Sequence, residues 1–192
     1  TLEPNDFALG SLRKGQAVTD TDTPLFTLRQ VAAATGWNLG TMRDHFVKGV
    51  FPWHEGDGKA KVAGSTSLLS LRAAIRLGIA FELWRLGVSP KDAFRAATTF
   101  TDFGTAPTSN EFRLSRLPGH IFADGYDTIL LWRKGEGARV MPTDEGGFVN
   151  INQFICAPFG GKSGPVVLVR VEDVVESVMA SLLPDGKLPE RG

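Results

Sequence analysis

The sequence predicts an α+β protein, with an N-terminal helical domain built on a helix-turn-helix and a small C-terminal α/β domain. Three patterns lead to that class. Residues 26–51, FTLRQVAAATGWNLGTMRDHFVKGVF, space apolar side chains by three and four on both sides of Thr35, Gly36 and Trp37, which marks two short helices around a tight turn. Residues 68–100 keep a helical period through two further runs. From residue 128 onward, short apolar runs alternate with glycine turns, the pattern of strands.

Taken in order, residues 1–25 show no periodicity and predict a flexible arm, with Arg13 and Lys14 as its cations. Leu28, Val31 and Ala32 form the apolar stripe of the first helix, and Gly36 supplies the left-handed residue that ends it. Asn38 is the expected N-cap of the second helix, whose stripe is Leu39, Met42 and Phe46. Pro52 stops that helix. Gly56, Asp57 and Gly58 then predict a turn, with residues 59–63 as the returning limb of a compact hairpin, a wing. Ser65, Thr66 and Ser67 are expected to open a long helix beginning at Leu68. Its face is Leu68, Leu71, Ala74, Ile75, Ile79, Leu83 and Leu86, and it ends at Gly87. Ser89 caps the next helix and Pro90 begins it.

Residues 101–118 read as a polar linker. In the C-terminal domain, residues 119–183, a hairpin joins 128–132 to 138–141 across a turn at 134–137. Residues 149–155 start either a strand or a short helix capped by Asn150. Residues 165–171 are a buried-type strand. Residues 172–183 are an amphipathic helix with Val174, Val175, Val178 and Leu182 on its face, and residues 184–192 are a polar tail.

The net charge is zero over 192 residues, with 42% hydrophobic and 22% charged side chains, which describes an ordinary folded protein. The distribution is uneven. Residues 26–95 carry ten Lys and Arg against five Asp and Glu; residues 1–25 carry two against four, and residues 96–192 nine against twelve. The helical segment alone is basic, as binding to phosphates requires. No run approaches the roughly 18 apolar residues of a membrane span, and TLEPNDFALG has neither region of a signal peptide, so a cytoplasmic protein without a membrane partner is expected. The single Cys156 excludes an internal disulfide and a cysteine metal site.

Several fixed spacings within residues 26–97 together resemble the winged helix-turn-helix domain of the MerR family of transcription regulators. Thr27 and Leu28 through Ala34, Thr35 and Gly36 look like the family's opening helix, and residues 38–46, NLGTMRDHF, like its recognition helix. Lys48, Gly49, Val50, Phe51 and Pro52 resemble its exit. Leu83, Trp84, Arg85, Leu86, Gly87, Val88 and Ser89 resemble the corner between its third and fourth helices. The resemblance implies a DNA-binding domain over residues 26–100 and a sequence-specific, double-stranded DNA-binding regulator of transcription, of phage or prophage type. The chain departs from the family at Gly40, where an arginine is usual, at His45, where a tyrosine is usual, and at Lys61, Val62 and Ala63, where an Arg-x-Tyr element ends the wing. Phe103 and Gly104 also interrupt the long helix that the family uses for its dimer. Dimerisation is therefore expected through the C-terminal domain, which could equally sense a ligand or dock RNA polymerase or another protein.

The expected DNA contacts follow from the polar side of the second helix and its surroundings. Arg43 is the side chain that reaches guanine or phosphate. Thr41, Asp44 and His45 lie beside it, and Arg29, Lys48, Lys59 and Lys61 are phosphate contacts. Trp37 and Trp53 are expected to pack rather than intercalate. No catalytic residue, metal site or cofactor is expected. His45, His54 and His120 lack ligand spacing, and the Gly-Gly-Lys-Ser string at 160–163 has Cys156 where a nucleotide loop requires glycine. Two other roles fit the same fold: a DNA-recognition subunit of an excision or phage packaging complex, and a protein-docking module that has lost DNA binding.

Overall fold

The computed structural model describes residues 21–54, 57–59, 66–105, 116–122, 126–144 and 155–185. These residues form five helices and two small antiparallel sheets, an α+β arrangement. Strand β1 (Pro24–Thr27) pairs with β2 (Leu68–Ser70), Phe26 opposite Leu69. Helices α1 (Leu28–Thr35), α2 (Leu39–Val47), α3 (Leu71–Arg85) and α4 (Pro90–Thr101) follow in chain order around this ribbon. A second sheet has β3 (Tyr126–Arg133) between β4 (Gly137–Asp144) and β5 (Val167–Arg170), and β5 runs directly into α5 (Val171–Leu182).

The expected caps are present. Asn38 Oδ1 accepts from Gly40 N and Thr41 N at 2.9 and 3.2 Å. Ser89 Oγ accepts from Asp92 N at 3.3 Å, and Gly36 ends α1 at φ 84°. Two starts differ from the sequence expectation. Phe26 belongs to β1, and α1 begins after Thr27, which forms a capping box with Gln30. Residues 68–70 are strand rather than helix; Ser70 caps α3 through a 3.1 Å bond from Ala73 N. Leucines suit either structure, and pairing with residues 24–27, distant in sequence, selects the strand. Strand β5 and helix α5 each begin close to their expected positions. Residues 1–20 of the expected arm, 145–154 and 186–192, with all but Ile155 of the alternatives for 149–155, lie outside the described residues. Residues 21–25, expected in the flexible arm, are instead fastened, Pro24 and Leu25 by β1 and Asp22 by Arg72 at 2.6 Å.

Helix α3 is the central pillar. Ten of its fifteen residues are buried, Arg76 among them, so its surroundings are protein on nearly all sides. Leu86, expected on the inner face, is 56% exposed, whereas Ala73, Leu77, Gly78 and Ala80 are buried. Helix α5 produces this difference by packing across α1 and α3. One hydrophobic cluster consequently runs from Phe26, Met42 and Phe51 through α3 to Leu130, Val169, Val174 and Val178. The other face of the second sheet closes a smaller cluster, Ile129 and Leu131 against Phe159, as the two-residue alternation of a strand requires.

Gly78 is the point where α5 comes closest to α3. A Cβ there would sit 2.8 Å from Val174 Cγ1 and 3.0 Å from Val178 Cγ2. Gly78→Leu is expected to destabilise the protein by about 1–3 kcal/mol through overpacking. Amide exchange should then rise first in α5 and β5; uniform exchange at unchanged stability would contradict this.

The stretch read as a linker is fastened at both described ends. Thr105 and Arg116 form an antiparallel bridge, and Arg116 is 5% exposed. Its guanidinium donates to the carbonyls of Phe100, Leu117 and His120 at 2.8, 3.3 and 3.3 Å, and to those of Thr99 and Phe103. Arg72 Nη1 donates to Thr101 O at 2.8 Å. Together the two arginines satisfy the open carbonyls at the C-terminus of α4.

At the junction of sheet and helix, the Glu172 carboxylate accepts from Thr128 N, and burial pushes its carboxyl above the ordinary range.

Candidate nucleic-acid interface

The α1–α2 pair is held by what its turn buries. Trp37 lies between the two helices, 4% exposed, and donates from Nε1 to Leu77 O at 2.9 Å. Its ring stacks on Trp84 at 5.0 Å and meets Phe51 and Phe81 edge-on at 5.3 and 5.4 Å. Gly36 must be glycine on two counts: its left-handed φ, and a Cβ that would lie 2.7 Å from Phe81. Met42 and Phe46 then anchor α2 from below, and Phe46 packs on Trp53 at 4.4 Å. Both Trp37 and Trp53 are packing residues.

With that stripe buried, α2 turns the opposite arc outward. Thr41, Arg43, Asp44 and Lys48 are exposed. Asp44 and Lys48 approach to 3.7 Å, each 69% exposed, a pair worth little in water. Arg43 makes no ion pair among the described residues, which leaves its guanidinium available. Arg29 on the first turn of α1 and Lys59 are also exposed; Lys61 lies outside the described residues. Val47 is 86% exposed on the same arc, and an apolar side chain gives no polar signal of a contact in the sequence. An exposed valine suits a thymine methyl.

His45 is placed differently from its neighbours. Its ring packs on Phe51 at 4.7 Å and on Trp37 at 5.7 Å. Its carbonyl accepts from Val50 N at 2.8 Å and Phe51 N at 3.1 Å, which closes the helix end. Burial, then the Lys48 charge, holds the imidazole below its usual value against an opposing pull from Asp44. The shift favours the uncharged imidazole.

The segment after α2 folds on Asp57. The Asp57 carboxylate accepts from His54 N at 2.9 Å and from Ser70 N at 3.3 Å. Gly58 and Leu68 exchange two backbone bonds of 2.9 Å. Gly58 thus stands on a limb paired with Leu68, and residues 60–65 between them lie outside the described residues. The Asp57 bonds to His54 and Ser70 hold this limb, and a local turn signal cannot reveal them.

Elsewhere, the Gly-Gly-Lys-Ser string follows a 3₁₀ turn, Ala157–Phe159, and precedes β5. Lys162 is bonded to Glu136, and its carbonyl accepts from Arg133 at 2.6 Å. The described residues hold no cluster of three metal-ligating side chains and no helix long and apolar enough to cross a membrane. Compared with family models and with curated proteins, the chain matches none.

Proposed function

We propose that this protein is a sequence-specific double-stranded DNA-binding regulator of transcription, with α1 and α2 as a helix-turn-helix and the segment around Gly58 and Leu68 as the base of a wing. The observation that carries this reading is the two-sided character of α2. Met42 and Phe46 fix it to the core while Thr41, Arg43, Asp44, Val47 and Lys48 stand in solvent on a capped helix. A helix held by one stripe can offer the other to a major groove. Arg29, Lys48 and Lys59 supply phosphate contacts, and His45 serves the reading by bracing α2 against Trp37 rather than by carrying charge.

Binding-site selection from random duplexes tests this. A defined motif is expected, and Arg43→Ala should weaken binding to it by about 1–3 kcal/mol while relaxing one base position. The absence of any duplex preference at moderate salt would reject the reading, and would favour a docking module if a stable protein partner were recovered.

A second role is favoured by one observation. Helix α4 ends at Thr101, and the described chain after it turns back to bridge Thr105 with Arg116, so the long helix of a MerR-like dimer does not follow α4. A DNA-recognition subunit of a packaging or excision complex would not need that helix. Stoichiometry on DNA separates the two: a dimer on a palindrome, joined through the C-terminal half, fits regulation, and a ring fits packaging.

A further inference from the structure

Among the described residues, the cations that form neither an ion pair nor a hydrogen bond fall into two sets. Arg29, Arg43 and Lys59 belong to the surface just described. Lys91, Arg95 and Lys134 lie on α4 and on the β3–β4 turn. Arg95 and Lys134 of this second set line a groove of about 400 Å³ between α4 and the β3–β4 hairpin. Arg95 and Phe103 line one wall, and Trp132, Lys134, Gly135 and Gly137 the other. Phe103 is 63% exposed. Lys91 stands one turn before Arg95 on the same side of α4. The single acid among the lining residues, Asp92, accepts from Ser89 Oγ at 2.8 Å, and Glu136 on the same turn as Lys134 pairs with Lys162. Arg139 also lines the groove, with its guanidinium 6.0 Å from the Phe159 ring and donating to Ala138 O at 2.8 Å. Gly135 and Gly137 have left-handed backbones, and a Cβ on either would meet nothing within 4 Å, so this rim is open.

We propose that this groove binds a nucleoside phosphate, presented as a free nucleotide or as an unpaired nucleotide of a strand. The Arg95 guanidinium and Lys134 ammonium take the phosphate, and the exposed ring of Phe103 takes the base, with the half-buried Trp132 on the facing wall. An acidic peptide would satisfy the cations equally. A planar aromatic base also covers the exposed Phe103 ring, and the cleft lies in the size range of small-ligand sites. The site is separate from α2 and does not rest on duplex recognition.

The test is fluorescence anisotropy of a labelled oligothymidylate on the full chain, with thymidine monophosphate as competitor and a labelled acidic peptide as a parallel probe. Arg95→Ala with Lys134→Ala is expected to lower strand affinity roughly ten-fold or more at low salt, and to reduce the salt-dependence slope by about 1.4. Phe103→Ala should lower affinity about ten-fold with the slope unchanged, since stacking releases no counterions. Arg43→Ala should leave this binding unchanged, and its effect on a duplex is read separately, so either proposal can fail alone. Competition by the monophosphate identifies a free-nucleotide site; strand binding without competition identifies a strand site. Strand binding that Arg43→Ala removes and the groove variants do not would overturn the proposal. So would binding of the peptide but of neither nucleotide probe. Melting curves of the variants should match the parent, because all three side chains stand at the surface.

Discussion

Trp37→Ala is expected to lower stability by about 3–5 kcal/mol, the usual range for removing a large buried aromatic. The ring touches three segments of the helical half: His45 on α2, Phe51 beyond it, and Phe81 and Trp84 on α3. Its removal opens a cavity between the pair α1–α2 and the pillar they rest on, so α2 loses its fixed orientation. On the proposed reading, duplex binding falls with it even at temperatures where the chain stays folded. Trp37→Phe keeps most of the packing and loses the bond to Leu77 O, which costs about 1 kcal/mol. Denaturant midpoints at constant slope measure both. A loss below 1 kcal/mol for the alanine variant would show that the neighbouring rings close over the gap.

Arg116→Ala is expected to cost about 3 kcal/mol or more, summing a few charged hydrogen bonds at roughly 1.5–3 kcal/mol each, reduced by water entering the site. No carboxylate pairs with this arginine among the described residues. Burial holds its guanidinium down to about 10, still charged at neutral pH. The compensating negative pole is the C-terminus of α4, whose aligned carbonyls carry the equivalent of about half a charge. Lysine in its place keeps the charge but lacks the five-donor fork, so Arg116→Lys should recover less than half of the loss. If lysine restored the whole, charge at the helix end rather than the fork would be responsible. Thermal melts of the two variants, with exchange at the end of α4, distinguish these outcomes.

Legibility of the fold depended on how local each determinant is. Asn38, Ser89 and Gly36 act on backbone groups within four residues, and the structure has all three as the sequence implied. Gly104 was legible as a helix breaker, but its constraint is spatial. Its backbone is not left-handed, and a Cβ would lie 2.5 Å from Arg116 O. The exposed arc of α2 was legible because Met42 and Phe46 fix the phase of a helical period. Val47 was missed on that arc because its chemistry is apolar, and the inward placement of His45 was missed because Trp37 and Phe51 approach it only in the folded chain.

The sequence by itself determined the caps at Asn38 and Ser89, the stop at Gly36, the buried stripe of α2, and which half of the chain is basic. Those are consequences of neighbours three and four residues apart. Only the tertiary structure decided that residues 68–70 are a strand, because their partner is residues 24–27. It also decided that Gly78 is a crossing point, because α5 arrives from the far end of the chain. The cleft joining Arg95 to Lys134 has the same origin: packing sets the distances between its members, and no local period encodes them.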